Sequence, residues 1–409
     1  MYLILAWRNI WRNPTRSLVI LGAIGMGIWA ALFMTGFATG MVRTYIDGNI
    51  ANVVAHIQVH HPDYEKEKEA KLSIPGADAL TGALSQDPGV KAWSARTLAS
   101  GMISSAKASR GVTIKGIVPV QEASASKLQE NLKEGVYFEQ GRKMQILLGE
   151  KLAGKLKVGV RNKVVLTFQD IEGNITTGAF RISGLFASSN SVFDETQVFV
   201  QQEDLASLLL GSLPQQSVPI HEIAIIGTVP EEIGAVRDAI VQKFPRVKAN
   251  TYRELAPELE LYESQINYIS LVYLVIVMLA LVFGIINTML MSVLERYREL
   301  GMLMAIGMNK ARIFGMILLE TLLLTLAGAP LGIGAGALSI YYFSINPLDL
   351  SAFASSLNQY GLGTRIYFET NPYVYSQITI LLILTAFVSA LYPAIRAIRL
   401  KPVEAIRKI

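Results

Sequence analysis

The first residues whose types and spacing could do chemistry form a glycine-rich segment at residues 149–156. Gly149, Gly154 and Lys155 have the spacing of a phosphate-binding loop, in which backbone amides and a lysine hold the phosphates of a nucleotide. Such a loop needs serine or threonine next, to hold Mg²⁺, and here the residue is Leu156. We therefore interpret the segment as a short helix packed on a strand, and we do not expect the chain to bind its own ATP.

Three histidines near residue 60 are candidate metal ligands. His56 and His60 are four residues apart, a spacing that would place both on one face of a helix. The apolar residues of 53–61 alternate instead, which predicts a half-exposed strand with His60 and His61 on opposite faces. We expect a solvated strand face and no metal site. Residues 44–265 also show no Ser/His/Asp triad or paired carboxylates, so the chain is not expected to be an enzyme.

Glu320 is the only charged residue in the apolar run 313–343. An ionisable group inside a membrane is costly and is usually buried against partners. We expect Glu320 to pair with an interfacial basic residue or to shape a cavity, with a purely structural hydrogen bond as the alternative.

Small residues recur every four positions in two apolar runs. They are Ala23, Gly27, Ala31 and Thr35 in the first run, and Gly328, Gly332 and Gly336 in the third. Such stripes let helix backbones approach closely in lipid. They predict helix packing within the chain, or contact of at least one stripe with a second subunit.

The loop 295–312 combines charge with helical spacing between two apolar runs. Glu295, Arg296, Arg298 and Glu299 begin a short amphipathic pattern, and Gly307 ends it. A rigid, charged helix at this point is suited to docking a soluble partner that pushes on it. A plain connecting turn is the alternative.

The elements that must position these residues are set by four long apolar runs. The chain has 409 residues and is 51% hydrophobic and 17% charged, whereas soluble domains are roughly a quarter charged; a purely soluble or disordered protein is excluded. The first run exceeds the apolar core of a cleaved signal peptide. We predict an interfacial amphipathic helix at 1–16, membrane spans at 17–43, 266–294, 313–343 and 374–393, an external domain at 44–265, a cytoplasmic loop at 295–312, an external loop at 344–373 and a cytoplasmic tail at 394–409.

The distribution of lysine and arginine predicts the orientation of these spans. Basic residues cluster before the first span, in 295–312 and after residue 393, whereas 344–373 contains only Arg365 against Asp349 and Glu369. Both termini are therefore expected in the cytoplasm and 44–265 outside. The net charge of +5 reflects these basic loops and not a nucleic-acid surface. Cysteine is absent, which excludes disulfide and zinc–thiolate chemistry.

The external domain mixes strand and helix patterns without a regular βαβ rhythm, which predicts an α+β fold. An inner subdomain at about 141–212 is expected to be inserted in an outer one. The expected elements include strands at 90–104, 111–118, 196–200 and 222–227, a hairpin of 163–169 and 176–186, and helices at 77–86, 146–156 and 231–244.

The loop 295–312 resembles the signature of the FtsX-like permease superfamily, the membrane subunits of MacB-type (type VII) ABC transporters. That signature is close to E-R-x-x-E-[IL]-G-[IL]-L-[RM]-A-[IL]-G. The closing segment 392–407 and the opening segment 6–13 are also similar to those of the family. The resemblance implies that the residues coupling the chain to an ATPase are Glu295, Arg296, Arg298, Glu299, Gly301, Leu303, Ala305 and Gly307.

What the resemblance implies for function is a permease subunit that works by mechanotransmission. The layout is nearest to the lipoprotein-releasing LolC/LolE-type permeases, so release of lipoproteins from the bacterial inner membrane towards a periplasmic carrier is expected. The alternatives are MacB-like export of peptides, antibiotics or lipids, and FtsX-like signalling to a cell-wall hydrolase.

The same resemblance implies the partners and cofactors. Two copies of an ABC ATPase and a second permease, identical or homologous, are expected, together with membrane lipid, a lipoprotein substrate and a periplasmic chaperone or adaptor. ATP and Mg²⁺ are expected on the ATPase, with no cofactor on this chain and no nucleic acid.

Overall fold

A computed structural model of the chain describes residues 11, 14–139, 141–188, 190–211, 217–359 and 362–399. Its helices are α1 (Pro14–Asn49), α2 (Tyr64–Glu67), α3 (Ala77–Leu84), α4 (Pro119–Ala125), α5 (Glu150–Leu156), α6 (Ser191–Thr196), α7 (Gln202–Leu210), α8 (Ile233–Lys243), α9 (Tyr252–Leu255), α10 (Pro257–Glu295), α11 (Tyr297–Ala305), α12 (Lys310–Ile345), α13 (Ala354–Gln359) and α14 (Pro372–Ile398). Its strands are β1 (Ile57–His60), β2 (Val90–Ser104), β3 (Ser109–Ile117), β4 (Leu132–Gly135), β5 (Gln145–Gly149), β6 (Lys163–Gln169), β7 (Ile175–Phe186), β8 (Gln197–Gln201), β9 (Glu222–Gly227), β10 (Lys248–Thr251), β11 (Leu348–Asp349) and β12 (Arg365–Ile366).

The chain divides into two compact units. The membrane unit contains Met1–Arg43, Glu263–Leu348 and Ile366–Ile409, and the external domain contains Thr44–Tyr262 and Asp349–Arg365. In the described part of the chain, the helices α1, α10, α12 and α14 are long and apolar enough to cross a membrane. The prediction of four spanning helices with a large domain between the first two is confirmed.

The external domain is built on one continuous mixed sheet. Its strands follow the order β10-β1-β9-β2-β3-β8-β5-β7-β4, and β6 pairs with β2 and β7. Most pairs are antiparallel, while β3 with β8 and β5 with β7 are parallel. The predicted hairpin is formed by β6 and β7, and Gly173 in its turn has a φ of +86°. The α+β prediction is confirmed.

Two hydrophobic cores lie along β2. Ala95 belongs to a core with residues of β1, β9 and α8, whereas Ala99 and Ile103 belong to a second core with residues of β5, β6 and β7. The second core therefore draws on the chain from Ala99 onward, well before residue 141. Residues of β2 and β3 thus share this core with residues of the expected inner subdomain, whose bounds at about 141–212 stay a prediction.

Two local predictions are wrong. Residues 146–149, expected to begin a helix at 146–156, instead belong to the buried strand β5, which lies between β8 and β7. A continuous apolar run reads alike in a buried strand and a buried helix, which explains the error. The expected half-exposed strand at 53–61 is shortened to β1, with all four residues buried, after a π-helical turn at Ile50–Val54.

Candidate functional site

The candidate site in the membrane unit is the short helix α11, between the spanning helices α10 and α12. Arg296 separates α10 from α11 with a non-helical backbone, and Gly307, with a φ of +96°, ends the segment. Asn309 then caps α12 by accepting a hydrogen bond from the backbone N–H of Ala311 at 3.1 Å. Glycine and cap thus set the turn at which α11 ends and α12 begins.

The two faces of α11 have different surroundings. Leu300 is 1% exposed and Gly301 is buried, so this face packs against the membrane unit. On the other side Met302 is 49% exposed, and Ile306, directly after the helix, is 85% exposed. Met302 and Ile306 therefore expose two apolar side chains, four residues apart, in the loop between two spans. Gly301, one of the predicted coupling residues, is thus buried in the membrane unit, and its part in coupling stays a prediction.

Most of the remaining predicted coupling residues are accessible. Glu295, Arg298, Ala305 and Gly307 are exposed, while Glu299 and Leu303 are half-buried. The sequence analysis did not single out Met302 and Ile306, which the structure also exposes.

Arg296 ties this helix to the third span. Its Nη1 atom lies 3.0 Å and 3.3 Å from the two carboxylate oxygens of Glu320, and its Nε lies 3.4 Å from Glu299. The side chains of Arg296 and Glu320 are 17% and 7% exposed. The expectation that Glu320 pairs with an interfacial basic residue is therefore confirmed.

The stripe of the third span packs against α1. A Cβ atom at Gly332 would lie 2.6 Å from the carbonyl oxygen of Gly25, and one at Gly336 would lie 2.7 Å from the Cβ of Leu32. Gly328 faces Ile24 in the same way. These glycines allow two backbones to touch, which is the close approach predicted for such stripes.

The stripe of the first span divides between several surroundings. Gly27 faces the side chain of Leu281 on α10, Ala31 and Thr35 are buried, and Ala23 is exposed. Contact of a stripe with a second subunit stays a prediction.

The external domain contains a buried network of charges. Arg96 on β2 donates hydrogen bonds to Glu122 on α4 at 2.7 Å and 2.8 Å, and another to Glu222 on β9. Lys115 on β3 lies 3.7 Å from Glu222. Burial alone would raise the pKa of Glu222, but Lys115, Arg96 and His60 together lower it to about 2. Both carboxylates are therefore ionised at neutral pH.

His60 belongs to this network, contrary to expectation. It is 5% exposed, and its ring nitrogens hydrogen-bond the backbone oxygen of His221 and the side chain of Gln58. The solvated strand face predicted for this histidine is wrong, because the ring of Tyr64 stacks on it at 5.5 Å.

The glycine-rich segment 149–156 does not form a phosphate-binding loop. Gly149 ends β5 and α5 follows, as the interpretation of a short helix on a strand requires. Lys155 donates a hydrogen bond to Glu195 at 2.6 Å, and Leu156 is fully buried. A nucleotide phosphate would have to displace that ion pair.

Comparisons with known proteins agree with this layout. The MacB-like periplasmic core domain matches residues 17–243, more than half of the chain, and the FtsX-like permease C-terminal domain matches residues 271–402. The chain belongs to the FtsX-like permease superfamily. It is an ABC-transporter permease of the LolC and MacB type, an inner-membrane protein with a periplasmic domain.

Individual relatives of the permease carry two different names. It is 25% identical to the lipoprotein-releasing system transmembrane protein LolC of Xylella fastidiosa, over 72% of each chain. It is 27% identical to the macrolide export ATP-binding/permease protein MacB of Rhodopirellula baltica, over 58% of this chain and 33% of that one. The crystal structure of the periplasmic region of MacB from Actinobacillus actinomycetemcomitans covers 52% of this chain, with 11% identity and a TM-score of 0.34.

The terminal motifs of the permease lie mostly outside the described residues. The interfacial helix predicted at 1–16 is described only at Trp11 and from Pro14 onward, where α1 begins. In the closing motif, Pro393 and Arg396 lie within α14, and residues 400–409 are outside the described part.

The buried network makes a prediction about stability. Replacing Arg96 with methionine leaves Glu122 and Glu222 buried without their guanidinium, and breaking a buried pair in this way costs about 3–5 kcal/mol. We expect the variant permease in detergent to lose this amount in denaturant-induced unfolding of the external domain. The control is Arg142→Met, which removes an exposed pair with Glu139 and should cost no more than about 1 kcal/mol. Equal effects of the two substitutions would contradict the role of the network.

The same network predicts a pH dependence. The pKa of Glu222 is about 2 in the folded protein, below its ordinary value of 4.5, so its ionised form contributes stability above pH 4.5. That contribution is lost as the pH falls from 4.5 towards 2. We expect the free energy of unfolding to fall steeply in this range, and to fall less steeply in Glu222→Gln. Parallel curves for the two proteins would refute the prediction.

Proposed function

We propose that this permease releases lipoproteins from the inner membrane towards a periplasmic carrier, driven by a separate ATPase that docks on α11. The observation that carries the docking proposal is the exposed apolar end of α11, Met302 and Ile306, on a helix anchored to two spans. Membership of the permease superfamily supports the ATP-driven role, and the LolC relative supports the cargo.

In the proposed mechanism, two permease chains, identical or closely related, dock two ATPase subunits that bind ATP and Mg²⁺. Closure of the ATPase pair pushes α11 and with it the second span, α10. This span is one uninterrupted helix from Pro257 to Glu295. The external domains then change position and hand over the cargo. The ATP-bound pair must bind one state of the permease more tightly than the other, since otherwise nothing moves.

Two other functions compete with lipoprotein release. MacB-like export of peptides, antibiotics or lipids is supported by the MacB-like core domain and the MacB relative. Signalling to a cell-wall hydrolase is the second, by analogy with FtsX-like chains, although the external domain here is large for that role.

Proteoliposomes that contain the permease, its ATPase and a triacylated lipoprotein test the cargo. We expect lipoprotein to appear in the soluble fraction only with ATP and a periplasmic extract. ATP-dependent efflux of a macrolide or peptide without lipoprotein release would favour export. Stable binding of a cell-wall hydrolase, with neither release nor efflux, would favour signalling.

The orientation can be tested directly because the chain has no cysteine. Single cysteines at Met302 and at Val120, which is 83% exposed in the external domain, are accessible to a membrane-impermeant maleimide. We expect Val120→Cys to react in intact spheroplasts and Met302→Cys to react only after the membrane is opened. Reaction of both in intact spheroplasts would contradict a cytoplasmic α11.

A further inference from the structure

The pair of Arg296 and Glu320 has a position that docking alone does not require. Glu320 is ten residues beyond the start of α12 at Lys310, about 15 Å along the helix. The nine residues of α11 are about 13 Å long. Arg296, at the far end of α11 from Gly307, lies beside Glu320, so the two ends of α11 are linked to two points of α12 that are about 15 Å apart.

The short helix is therefore held to α12 at both ends. At its C-terminal end the link is the turn at Gly307, which is held by a hydrogen bond from the backbone N–H of Met308 to the backbone oxygen of Leu303 at 3.0 Å. At its N-terminal end the link is the guanidinium of Arg296, which engages both oxygens of Glu320 in a largely buried setting. With the pair intact, a displacement of α11 acts on α12 at Glu320 as well as at the turn. Without it, only the turn after Gly307 and the buried contacts of Leu300 and Gly301 hold α11 to the membrane unit.

Movement of α12 matters because α12 is tightly packed in the membrane unit. Its buried residues extend from Ile313 to Ile340, whereas α10 exposes Tyr268, Val272 and Ile276. The helix α12 packs closely against α1 at Gly328, Gly332 and Gly336. A movement of α10 alone would therefore displace few neighbouring side chains. A movement of α12 would displace α1 as well, because the two helices are closely packed.

We propose that the Arg296–Glu320 pair transmits the movement of α11 to α12, and through α12 to the rest of the membrane unit. Both are positioning residues. Arg296 lies at the N-terminal end of α11, and Glu320 is the point on α12 at which a displacement of α11 acts. The inference rests on the proposed ATPase docking at α11. It predicts that breaking the pair leaves docking and ATP hydrolysis in place but separates them from movement of the spans.

The test uses the complex of permease and ATPase in nanodiscs, with a bimane fluorophore on a cysteine at Leu338. Leu338 is 71% exposed on α12, and the chain has no other cysteine. We expect ATP to shift the bimane emission in the parent complex, and the shift to fall at least fivefold in Glu320→Gln while ATPase stoichiometry and ATP hydrolysis stay within twofold. The charge exchange Arg296→Glu with Glu320→Arg should restore the shift.

The matched control is Thr321→Val. Its hydroxyl is buried beside Glu320 but donates only within its own helix, to the backbone oxygen of Ile317 at 3.0 Å. This variant should keep the full shift.

Several outcomes overturn the inference. A full shift in Glu320→Gln does so, and so does loss of the ATPase from that variant, which would make the pair part of the docking surface. If Glu320→Gln fails to fold, the charge-exchange variant is the test. If that variant folds and binds the ATPase but shows no ATP-induced shift of the bimane emission, the inference is refuted. Absence of ATPase from the parent complex refutes the proposed function instead. The readout requires no cargo, so an error about lipoproteins does not affect it.

Discussion

Replacing Met302 and Ile306 with aspartate is expected to remove the ATPase from the purified permease. Both side chains are exposed at the end of α11, so the substitutions should not disturb folding. Binding would bury two carboxylates in an apolar contact, and central contact residues of this kind cost about 2 kcal/mol or more each. Together the two substitutions should cost about 4 kcal/mol, so the affinity should fall by roughly a thousandfold. The measurement is the amount of ATPase recovered per permease after affinity purification.

The control for this experiment is Val120→Asp, the same type of change at an 83% exposed site in the external domain. It should recover as much ATPase as the unmodified protein. Undiminished ATPase in the double aspartate variant would show that docking occurs elsewhere.

The second large effect is expected at Gly332. A valine there would drive its Cβ to 2.6 Å from the backbone oxygen of Gly25, and a backbone atom cannot move aside as a side chain can. The helices α1 and α12 must then separate along their length, at a cost above the about 1–3 kcal/mol of ordinary overpacking. We expect Gly332→Val to yield little monodisperse protein, and a much lower thermal midpoint in what remains.

Gly334 offers a matched control two residues away in the same helix. A Cβ atom there would meet nothing within 4 Å. Gly334→Val changes composition and hydropathy identically and should be tolerated. If both variants purified equally well, the close packing of α1 on α12 would be wrong.

Features encoded locally were the ones that the sequence could predict. The four spans follow from long apolar runs. The loop helix follows from the charged residues at 295–299 and the glycine at 307, and the β6–β7 hairpin follows from Gly173 with Asn174. In each case the determining residues are neighbours in the chain. The close packing of the third span was likewise visible in its glycine stripe, although the stripe did not name α1 as the partner.

Features that depend on distant residues could not be predicted. Arg96 contacts Glu122 and Glu222 across separations of 26 and 126 residues, so the network cannot be predicted from the spacing of residues in the sequence. The side of His60 that is covered depends on Tyr64 stacking over it. The cost of a charge in the membrane predicted that Glu320 has a partner, but the identity of that partner, Arg296, 24 residues earlier, depends on how the loop between the two spans is folded.

The most direct test of the central claim is purification of the tagged permease from its own host in mild detergent, with mass spectrometry of the bound proteins. We expect two ATPase subunits for every two permease chains, and acylated proteins among the bound cargo. A second, homologous permease in equal amount would identify a heteromeric complex. Purification of intact, folded permease without any ATPase would contradict the account.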